Sequence, residues 1–481
     1  MSKPPRDDHN NDDTSSPQNT GPQNAGRTLR DRRRAPEETR APRQRTLVLV
    51  PVWKRQVRVG EKAKPFPQIH TPENRLAEAV GLANAIDLEI IDALVVPLSE
   101  PRPSTLFGSG KVDELRDVVA ENKIGLVVVD HIVTPVQQRN LEKAWNTKVV
   151  DRTGLILEIF GARARTREGV LQVELAHLSY QKGRLVRAWT HLERQRGGGG
   201  FLGGPGEAQI ELDRRMLQDR IDAIKADLKD VVKTRELHRK GRRKVPYPIV
   251  AIVGYTNAGK STLFNKITGA GVLAMDQVFA TLDPTMRELK LPSARKIILS
   301  DTVGFISDLP TMLVAAFRAT LEEVVEADLI LHVRDIAHEE TEAQAHDVEK
   351  VLSDLGIDTL PADNHILEVW NKVDLLDADR LAELGRDATR DERRPVLVSA
   401  YTGAGLDDLF AAIDARLGVA DEVLEIAIPG HQGQLIAWMY ENAEVLERTA
   451  GEDGALRLRV RIASEKKDRV IAKLRAAGIP V

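Results

Sequence analysis

Residues 254–261 combine glycines, a lysine and a serine at a spacing that suits phosphate binding. They follow the apolar run 249–253 and precede a segment of helical character, so they would form a strand–loop–helix unit. In such a unit, backbone N–H groups curl around the phosphates and the helix N-terminus adds its positive dipole end. Lys260 would reach the β- and γ-phosphates, and Ser261 would bind Mg²⁺. The sequence therefore predicts a nucleoside triphosphate site with the contact residues Gly254, Tyr255, Thr256, Asn257, Ala258, Gly259, Lys260, Ser261 and Thr262.

A later run of the form N-K-x-D resembles the guanine-reading motif of GTPases. Asp374 can accept hydrogen bonds from the two N–H donors of the guanine edge, which adenine lacks. Asn371 would bond the base ring or tie its loop to the P-loop, and Lys372 would cover the base. Ser399 and Ala400 lie at the end of a later strand, where the Ala400 N–H would bond guanine O6. These residues predict GTP and GDP as ligands.

Two segments between these motifs are predicted to sense the γ-phosphate. Asp301 would hold Mg²⁺ through a water, and the Gly304 N–H would meet the γ-phosphate. Upstream, Thr281 is the preferred Mg²⁺ ligand and Thr285 is the alternative. The first-switch contacts are predicted at Phe279, Ala280 and Thr281. The predicted catalytic residues are Lys260, Thr281 and Gly304, and the predicted metal ligands are Ser261, Thr281 and Asp301.

The residue after Gly304 is Phe305, where many GTPases have the glutamine that orients the attacking water. An aromatic ring cannot orient water by hydrogen bonding, so we expect slow unaided hydrolysis and a missing group supplied from elsewhere. Packing alone is an alternative explanation of Phe305, and the two roles are compatible. Asn257 resembles the asparagine that binds a monovalent cation in potassium-stimulated GTPases, so K⁺ there could act electrostatically in place of an arginine finger.

The elements that position these residues form several domains, because a chain of 481 residues exceeds what a single core usually holds. Residues 1–45 are polar and are predicted to be a disordered tail. Residues 46–167 alternate strand-like and helical runs, which predicts a small parallel sheet with helices against it. The strand runs are 46–53, 88–98, 124–130 and 147–150, and the helical runs are 72–87, 110–123 and 134–146. A second phosphate loop at 108–111 is a weaker alternative, because Thr105 and Val112 break the motif.

Residues 168–243 carry apolar residues at alternating steps of three and four, which predicts an antiparallel two-helix arm. The seam residues are Leu171, Leu175, Leu178, Leu185, Trp189 and Leu192 in the first helix and Ile210, Leu217, Ile221, Ile224, Leu228 and Val231 in the second. A glycine-rich loop, 197–206, joins them. It is either a flexible linker or an RNA probe, since arginines that neutralise phosphates flank it. Phe201 would stack on a base or plug the loop. The RNA-contact candidates are Arg194, Arg196, Gly198, Gly199, Gly200, Phe201 and Arg214.

The remaining chain is predicted to form a GTPase domain with a mainly parallel sheet, 244–418, and a small α+β domain, 419–481. The latter is expected to contain strand 422–428, helix 433–448, strand 455–462 and helix 464–477. The chain contains no cysteine, which excludes disulfides and thiolate metal sites. The absence of an apolar run of about 18–20 residues argues against a membrane partner. We expect a cytoplasmic monomer with the fold class α/β multidomain.

Over residues 46–481 the chain resembles the HflX family of ribosome-associated GTPases. The most specific matches are residues 189–195, the glycine loop through 204–207, and residues 276–284. The chain departs from the family at Ala208, where the family has threonine, and the loop at 196–201 is longer or altered.

The resemblance implies GTP-dependent binding to the large ribosomal subunit and its rRNA, with the glycine loop near the peptidyl transferase centre. It also implies splitting or rescue of stalled ribosomes under stress, including antibiotic stress in some members. Ribosome contact would then supply the group that Phe305 lacks. A factor in subunit assembly is the nearest alternative, and a membrane-associated signalling GTPase is a distant one.

Overall fold

The computed structural model describes residues 43–53, 70–195, 205–242, 247–269, 279, 285–309, 318–359, 365–418, 422–451, 455–462 and 464–480. Contacts divide the chain into Met1–Pro42 and Arg43–Val481, and the described residues all belong to the second unit. The predicted tail lies outside the described residues except for its last three positions. No helix among the described residues has the length and apolar composition that crossing a membrane requires.

The N-terminal region forms a parallel four-stranded sheet with the strand order β2-β1-β3-β4. The strands are Arg45–Trp53 (β1), Glu89–Leu98 (β2), Leu126–Val129 (β3) and Lys148–Asp151 (β4). The helices are Pro72–Asn84 (α1), Ser109–Glu121 (α2), Pro135–Trp145 (α3) and Arg152–Arg163 (α4). Helices cover both faces, which explains why the strands are almost continuously apolar.

Alternate residues of β1 serve two different cores. Leu47 and Leu49 pack in a cluster with α2 and α3, whereas Val48 and Val50 pack in a cluster with α1 and α4. The second cluster continues into the nucleotide-binding region, where it includes Phe305. The first sheet and the nucleotide-binding sheet therefore share one hydrophobic core.

The arm consists of two antiparallel helices, Arg167–Gln195 (α5) and Pro205–Arg242 (α6). Glu174 pairs with Arg220 at 2.7 Å, and Lys182 donates to Gln218. Residue numbers that increase along α5 are therefore paired with numbers that decrease along α6, as in an antiparallel hairpin. Ile221 and Ile224 are buried, as the heptad pattern predicts. The pattern did not predict a second buried face on α5, where Val173 and Ala176 enter the core shared with α4.

The nucleotide-binding region has a six-stranded sheet with the order β10-β9-β8-β5-β7-β6, in which β6 alone runs antiparallel to its neighbour. The strands are Ile249–Gly254 (β5), Thr285–Lys290 (β6), Lys296–Asp301 (β7), Leu329–Asp335 (β8), Ile366–Asn371 (β9) and Val396–Leu397 (β10). The helices are Lys260–Thr268 (α7), Arg318–Val325 (α8), Thr341–Asp354 (α9), Ala378–Arg390 (α10) and Leu406–Gly418 (α11), with a short 3₁₀ turn at Val373–Leu375.

The C-terminal region differs from the prediction in one element. It contains Glu422–Pro429 (β11), Gly433–Asn442 (α12), Glu444–Ala450 (β12), Ala455–Ile462 (β13) and Ser464–Ala476 (α13). The predicted helix 433–448 is wrong beyond residue 442. There the chain becomes a strand paired with β13, and cross-strand ion pairs join Glu444 to Arg461 and Glu447 to Arg459, both at 3.1 Å. Cross-strand pairing outweighs the local helical preference of this charged segment.

The fold class is confirmed as a multidomain α/β chain with a P-loop domain, a mainly parallel sheet, a helical arm and a C-terminal α+β region. The domain boundaries stay predictions.

Candidate functional site

Two glycines shape the phosphate loop between β5 and α7. Gly254 has φ 152°, and a Cβ there would lie 2.2 Å from the Val333 carbonyl oxygen. Gly259 has φ 93°, and a Cβ there would lie 2.3 Å from Asn371 Nδ2. Both positions therefore require glycine, for the backbone conformation and for space. Asn257, at the loop tip, is exposed and has φ 61°, a conformation that asparagine tolerates better than most residues.

Lys260 lies buried at the start of α7, and its Nζ donates to the Tyr255 carbonyl oxygen at 2.7 Å. This bond holds the side chain back across the loop. Burial lowers the pKa of Lys260 to about 8, although the negative charge of Asp301 opposes the shift. A bound phosphate would add negative charge and favour the protonated form.

Ser261 and Asp301 meet at the start of α7 and the end of β7. The Ser261 hydroxyl donates to Asp301 Oδ2 at 2.8 Å, and Asp301 is fully buried. A hydroxyl and a carboxylate oxygen are hard ligands that fit Mg²⁺, which usually completes its shell with waters and phosphate oxygens. The described residues contain no cluster of three or more His, Cys, Asp or Glu side chains that could hold a metal alone. The donor set therefore fits a metal bound together with a nucleotide.

The segment after Asp301 runs alongside the phosphate loop. The Thr256 N–H donates to the Phe305 carbonyl at 2.7 Å, and the Phe305 N–H donates to the Gly254 carbonyl at 3.1 Å. The Phe305 ring is completely buried in the shared core. Gly304 lies so close to the loop that a Cβ there would be 3.0 Å from Lys260 Nζ. Phe305 thus packs, and its ring contributes no group that orients water.

Asn371 joins two loops instead of pointing freely at a base. Its Nδ2 donates to the Ala258 carbonyl at 2.8 Å, and its Oδ1 accepts from the Ala400 N–H at 2.9 Å. Of the two roles considered for Asn371, the structure shows the tie to the P-loop. The Ala400 N–H, expected at guanine O6, has Asn371 as its partner here.

Asp374 lies exposed at the rim of the site. The Ser399 hydroxyl donates to its Oδ1 at 2.5 Å and accepts from the Thr402 N–H at 3.0 Å, which fixes the direction of the carboxylate. Lys372 has φ 68° and its Nζ pairs with Asp335 at 2.7 Å. This ion pair fixes the end of the Lys372 side chain, whose aliphatic stem is predicted to cover the base.

Part of the predicted first switch lies outside the described residues, namely Ala280 and Thr281. Phe279 is described, and it is buried with its ring 4.6 Å from the Phe160 ring in an edge-to-face arrangement. Phe279 therefore packs against α4 of the N-terminal region. Thr285, the alternative metal ligand, begins β6 and pairs with Asp301 in the sheet register.

Most of the predicted RNA contacts also lie outside the described residues, namely Arg196, Gly198, Gly199, Gly200 and Phe201. Arg194 belongs to α5, and its side chain is not among those described. Arg214 is exposed and lies 3.6 Å from Glu211. Arg184, which precedes the loop on α5, pairs with Asp151 at 3.1 Å near the base of the arm.

The weaker alternative at 108–111 does not form a phosphate loop. Gly108 is the N-cap of α2, and Lys111 pairs with Glu114 at 2.6 Å on the same helix. The segment does not directly follow a strand, since β2 ends at Leu98.

The sequence did not reveal one set of residues at this site. Glu78 of α1 contacts both the phosphate loop and the segment after Gly304, and Arg152 of α4 contacts the segment after Gly304. Glu78 is 177 residues from Tyr255 and 229 residues from Ser307 in the sequence. No local motif signals contacts over such separations.

The fold and the site together define a P-loop GTPase. Family models match nearly the whole of the described chain: "GTP-binding GTPase N-terminal" at 73–161, "GTP-binding GTPase Middle Region" at 163–242, "50S ribosome-binding GTPase" at 249–372 and "HflX C-terminal domain" at 386–477. The chain belongs to the HflX family of GTPases, so the resemblance seen in the sequence and the expected GTP hydrolysis are confirmed.

Curated relatives agree with this assignment. GTPase HflX of Magnetococcus marinus is 51% identical over 378 residues, covering 79% of this chain and 86% of the relative. GTPase HflX of Escherichia coli K12 is 44% identical over 387 residues, covering 80% and 89%. Among solved structures, a crystal structure of SsGBP with GDP is 21% identical with a TM-score of 0.44, covering 77% of this chain and 97% of that one, and the assignment does not rest on it.

Proposed function

We propose that this GTPase binds the large ribosomal subunit and its rRNA in the GTP state and splits or rescues stalled ribosomes under stress, including antibiotic stress. The observation that carries the proposal is the long arm attached to a phosphate-sensing domain through a shared core. Helices of 29 and 38 residues extend about 43 and 57 Å at about 1.5 Å per residue. The name of the matching family model, which refers to 50S binding, supports the same partner.

In the proposed GTP hydrolysis, each residue of the site has a separate role. Ser261 and Asp301, with Thr281 as a predicted third ligand, would hold Mg²⁺, which supplies positive charge to the phosphates. Lys260 would contact the β- and γ-phosphates, and the Gly304 N–H would contact the γ-phosphate. Because Phe305 orients no water, we propose that ribosome contact completes the site, with K⁺ near Asn257 as an added source of positive charge.

The proposal is tested by sedimentation with purified 50S subunits and 70S ribosomes in GMPPNP and in GDP. We expect co-sedimentation with 50S subunits in GMPPNP, weak binding in GDP, and a fall in light scattering when 70S ribosomes split. Binding to precursor particles alone would favour a role in subunit assembly and contradict the proposal. Binding to anionic vesicles but not to ribosomes would favour a membrane-associated switch.

The arm is tested separately with a deletion of residues 197–205. We expect normal GDP affinity, because the deletion lies far along the chain from the P-loop, together with a loss of ribosome-stimulated hydrolysis. Full retention of stimulation would contradict a functional loop. The same hydrolysis assay in K⁺ and in Na⁺ tests the cation, and equal rates would contradict a K⁺ site. The proposal also includes action as a monomer in the cytoplasm. Sedimentation of the free protein would check the monomeric state.

A further inference from the structure

A single carboxylate of the N-terminal region holds both phosphate-sensing segments of the GTPase site. Glu78 on α1 accepts a hydrogen bond from the Tyr255 hydroxyl at 2.8 Å and another from the Ser307 hydroxyl at 2.6 Å. The Ser307 N–H donates to the Tyr255 hydroxyl, also at 2.8 Å. Tyr255 belongs to the phosphate loop, and Ser307 follows Gly304 by three positions. Glu78 therefore fixes the two segments relative to each other.

Arg152 on α4 reinforces this arrangement from the other side. Its Nη2 donates to the Ser307 carbonyl at 2.8 Å and lies 2.9 Å from the Ser307 hydroxyl. Burial alone would lower the pKa of Arg152, but the carboxylates of Asp130 and Glu78 raise it, so the guanidinium stays charged. Buried charge-assisted hydrogen bonds of this kind are costly to break singly, because the remaining partner is left buried.

Gly304 packs closely against the phosphate loop. A Cβ on Gly304 would lie 2.9 Å from Thr256 Cγ2 and 3.0 Å from Lys260 Nζ, so added atoms there would require these side chains to shift. A γ-phosphate that contacts both Lys260 and the Gly304 N–H would add atoms between these closely packed groups and so favour an outward movement of the segment. The movement would strain the hydrogen bonds that hold the same segment at Phe305 and Ser307.

We propose that Glu78 is a positioning residue for γ-phosphate sensing, which acts through Tyr255 and Ser307 to hold the Gly304 segment against the phosphate loop until a γ-phosphate displaces it. GDP lacks the γ-phosphate and leaves the contact intact, whereas GTP binds in competition with it. Because coupling between two sites is reciprocal, GTP weakens the contact between the N-terminal sheet and the nucleotide-binding sheet by the same factor.

The test compares the affinities of the full chain for mant-GMPPNP and mant-GDP by fluorescence titration. In Glu78→Gln and in Ser307→Ala, the GMPPNP-to-GDP affinity ratio should rise about 3- to 10-fold, as expected when one hydrogen bond no longer opposes the γ-phosphate. The double variant should show little further increase, because both changes break the same contact. An unchanged ratio in both single variants, or an additive double variant, would overturn the proposal.

A matched pair of tyrosine variants separates this role from general loosening. Tyr255→Phe removes a hydroxyl that donates to Glu78, and Tyr180→Phe removes one that donates to Asp151 at 2.6 Å between the arm and the N-terminal sheet. We expect the ratio to rise only in Tyr255→Phe. An equal rise in both would overturn the proposal. Thermal unfolding and GDP affinity report folding, and if Glu78→Gln does not fold, Ser307→Ala and Tyr255→Phe decide the outcome, since each removes only a hydroxyl.

Discussion

At the scale of single residues, the side chains predicted to read the base differ in how firmly the structure holds them. Asn371 is buried and bonded at both ends, whereas Asp374 is exposed with one oxygen fixed by Ser399. A substitution at Asp374 can therefore change the chemistry of the base site without disturbing the loops. Gly259, in contact range of Asn371, cannot change at all without moving its neighbour.

Replacing Asp374 by Asn should weaken GTP binding by about 1.5–3 kcal/mol, because the carboxylate that accepts from guanine is lost. Xanthosine triphosphate, whose edge offers an acceptor in place of the amino group, should bind the Asp374→Asn variant better than it binds the wild type. Competitive titration with the two nucleotides measures the shift. Ser399→Ala is the control, since it loosens the carboxylate but keeps its charge. Unchanged selectivity in Asp374→Asn would contradict the assignment of the base site.

Replacing Gly259 by Ala should both destabilise the protein and reduce GDP affinity, because the new Cβ would meet Asn371 Nδ2 at 2.3 Å. Gly269 is the matched control: it also has positive φ, 63°, but nothing lies within 4 Å of a Cβ there. We expect Gly269→Ala to cost about 1–2 kcal/mol from backbone strain and Gly259→Ala about 1–3 kcal/mol more from the clash. Urea unfolding with calorimetric GDP titration checks this, and equal effects would contradict the steric explanation.

At the scale of elements, periodicity predicted most helices and strands, including the N-terminal strands and both arm helices. It failed where one element has two partners or where pairing overrides local preference. Val173 and Ala176 pack on α4 while other residues of α5 face α6, so a single seam did not describe that helix. Residues 444–450 form β12 only because β13 lies beside them, which no local pattern reveals.

Replacing Ile224 by Ala should destabilise the arm by about 2–5 kcal/mol, because the side chain is completely buried in the hairpin. GDP affinity should stay unchanged, and ribosome-stimulated hydrolysis should fall. Met216, on the same helix, is 62% exposed, so Met216→Ala should change stability by no more than about 0.5 kcal/mol. Circular dichroism during thermal unfolding compares the two variants. A similar loss of helix stability in both would contradict the hairpin packing.

At the scale of the whole molecule, the N-terminal and nucleotide-binding regions are joined by contacts that the sequence did not predict. Motif spacing predicted the residues around the nucleotide, because each motif is local. The ties from Glu78, Arg152 and His70 to the second region span long stretches of sequence and depend on how the two sheets pack. Their residue types, common charged or polar ones, carry no signal by themselves.

We expect His70 to make the contact between the N-terminal and nucleotide-binding regions depend on pH. Its ring nitrogens lie 2.7 Å from Glu340 and 2.8 Å from Asp347 of the nucleotide-binding region. Burial lowers its pKa, but the hydrogen bonds to Asp347 and Glu340 outweigh burial and raise the pKa to about 9. A raised pKa in the folded state means that the stabilisation is complete below pH 6.5 and is lost as the pH rises towards 9.

The free energy of unfolding, measured in urea between pH 6 and 10, should therefore fall across the range 6.5 to 9 in the wild type. His70→Gln should be less stable at pH 6 and should lack most of this fall. A His346→Gln variant provides a control, because His346 is exposed on the same helix as Asp347. An identical pH profile in wild type and His70→Gln would contradict the role of His70.

The double bonding of Asn371 limits how this nucleotide pocket can be altered. Because the same amide braces the phosphate cradle through Ala258 and the base rim through Ala400, any replacement there would disturb both halves of the pocket at once. A modified nucleotide could be paired with an engineered form of this factor, so that it binds no other GTPase of the cell. The substitutions for such a pair must lie at the exposed rim of the pocket, and Asn371 must stay unchanged.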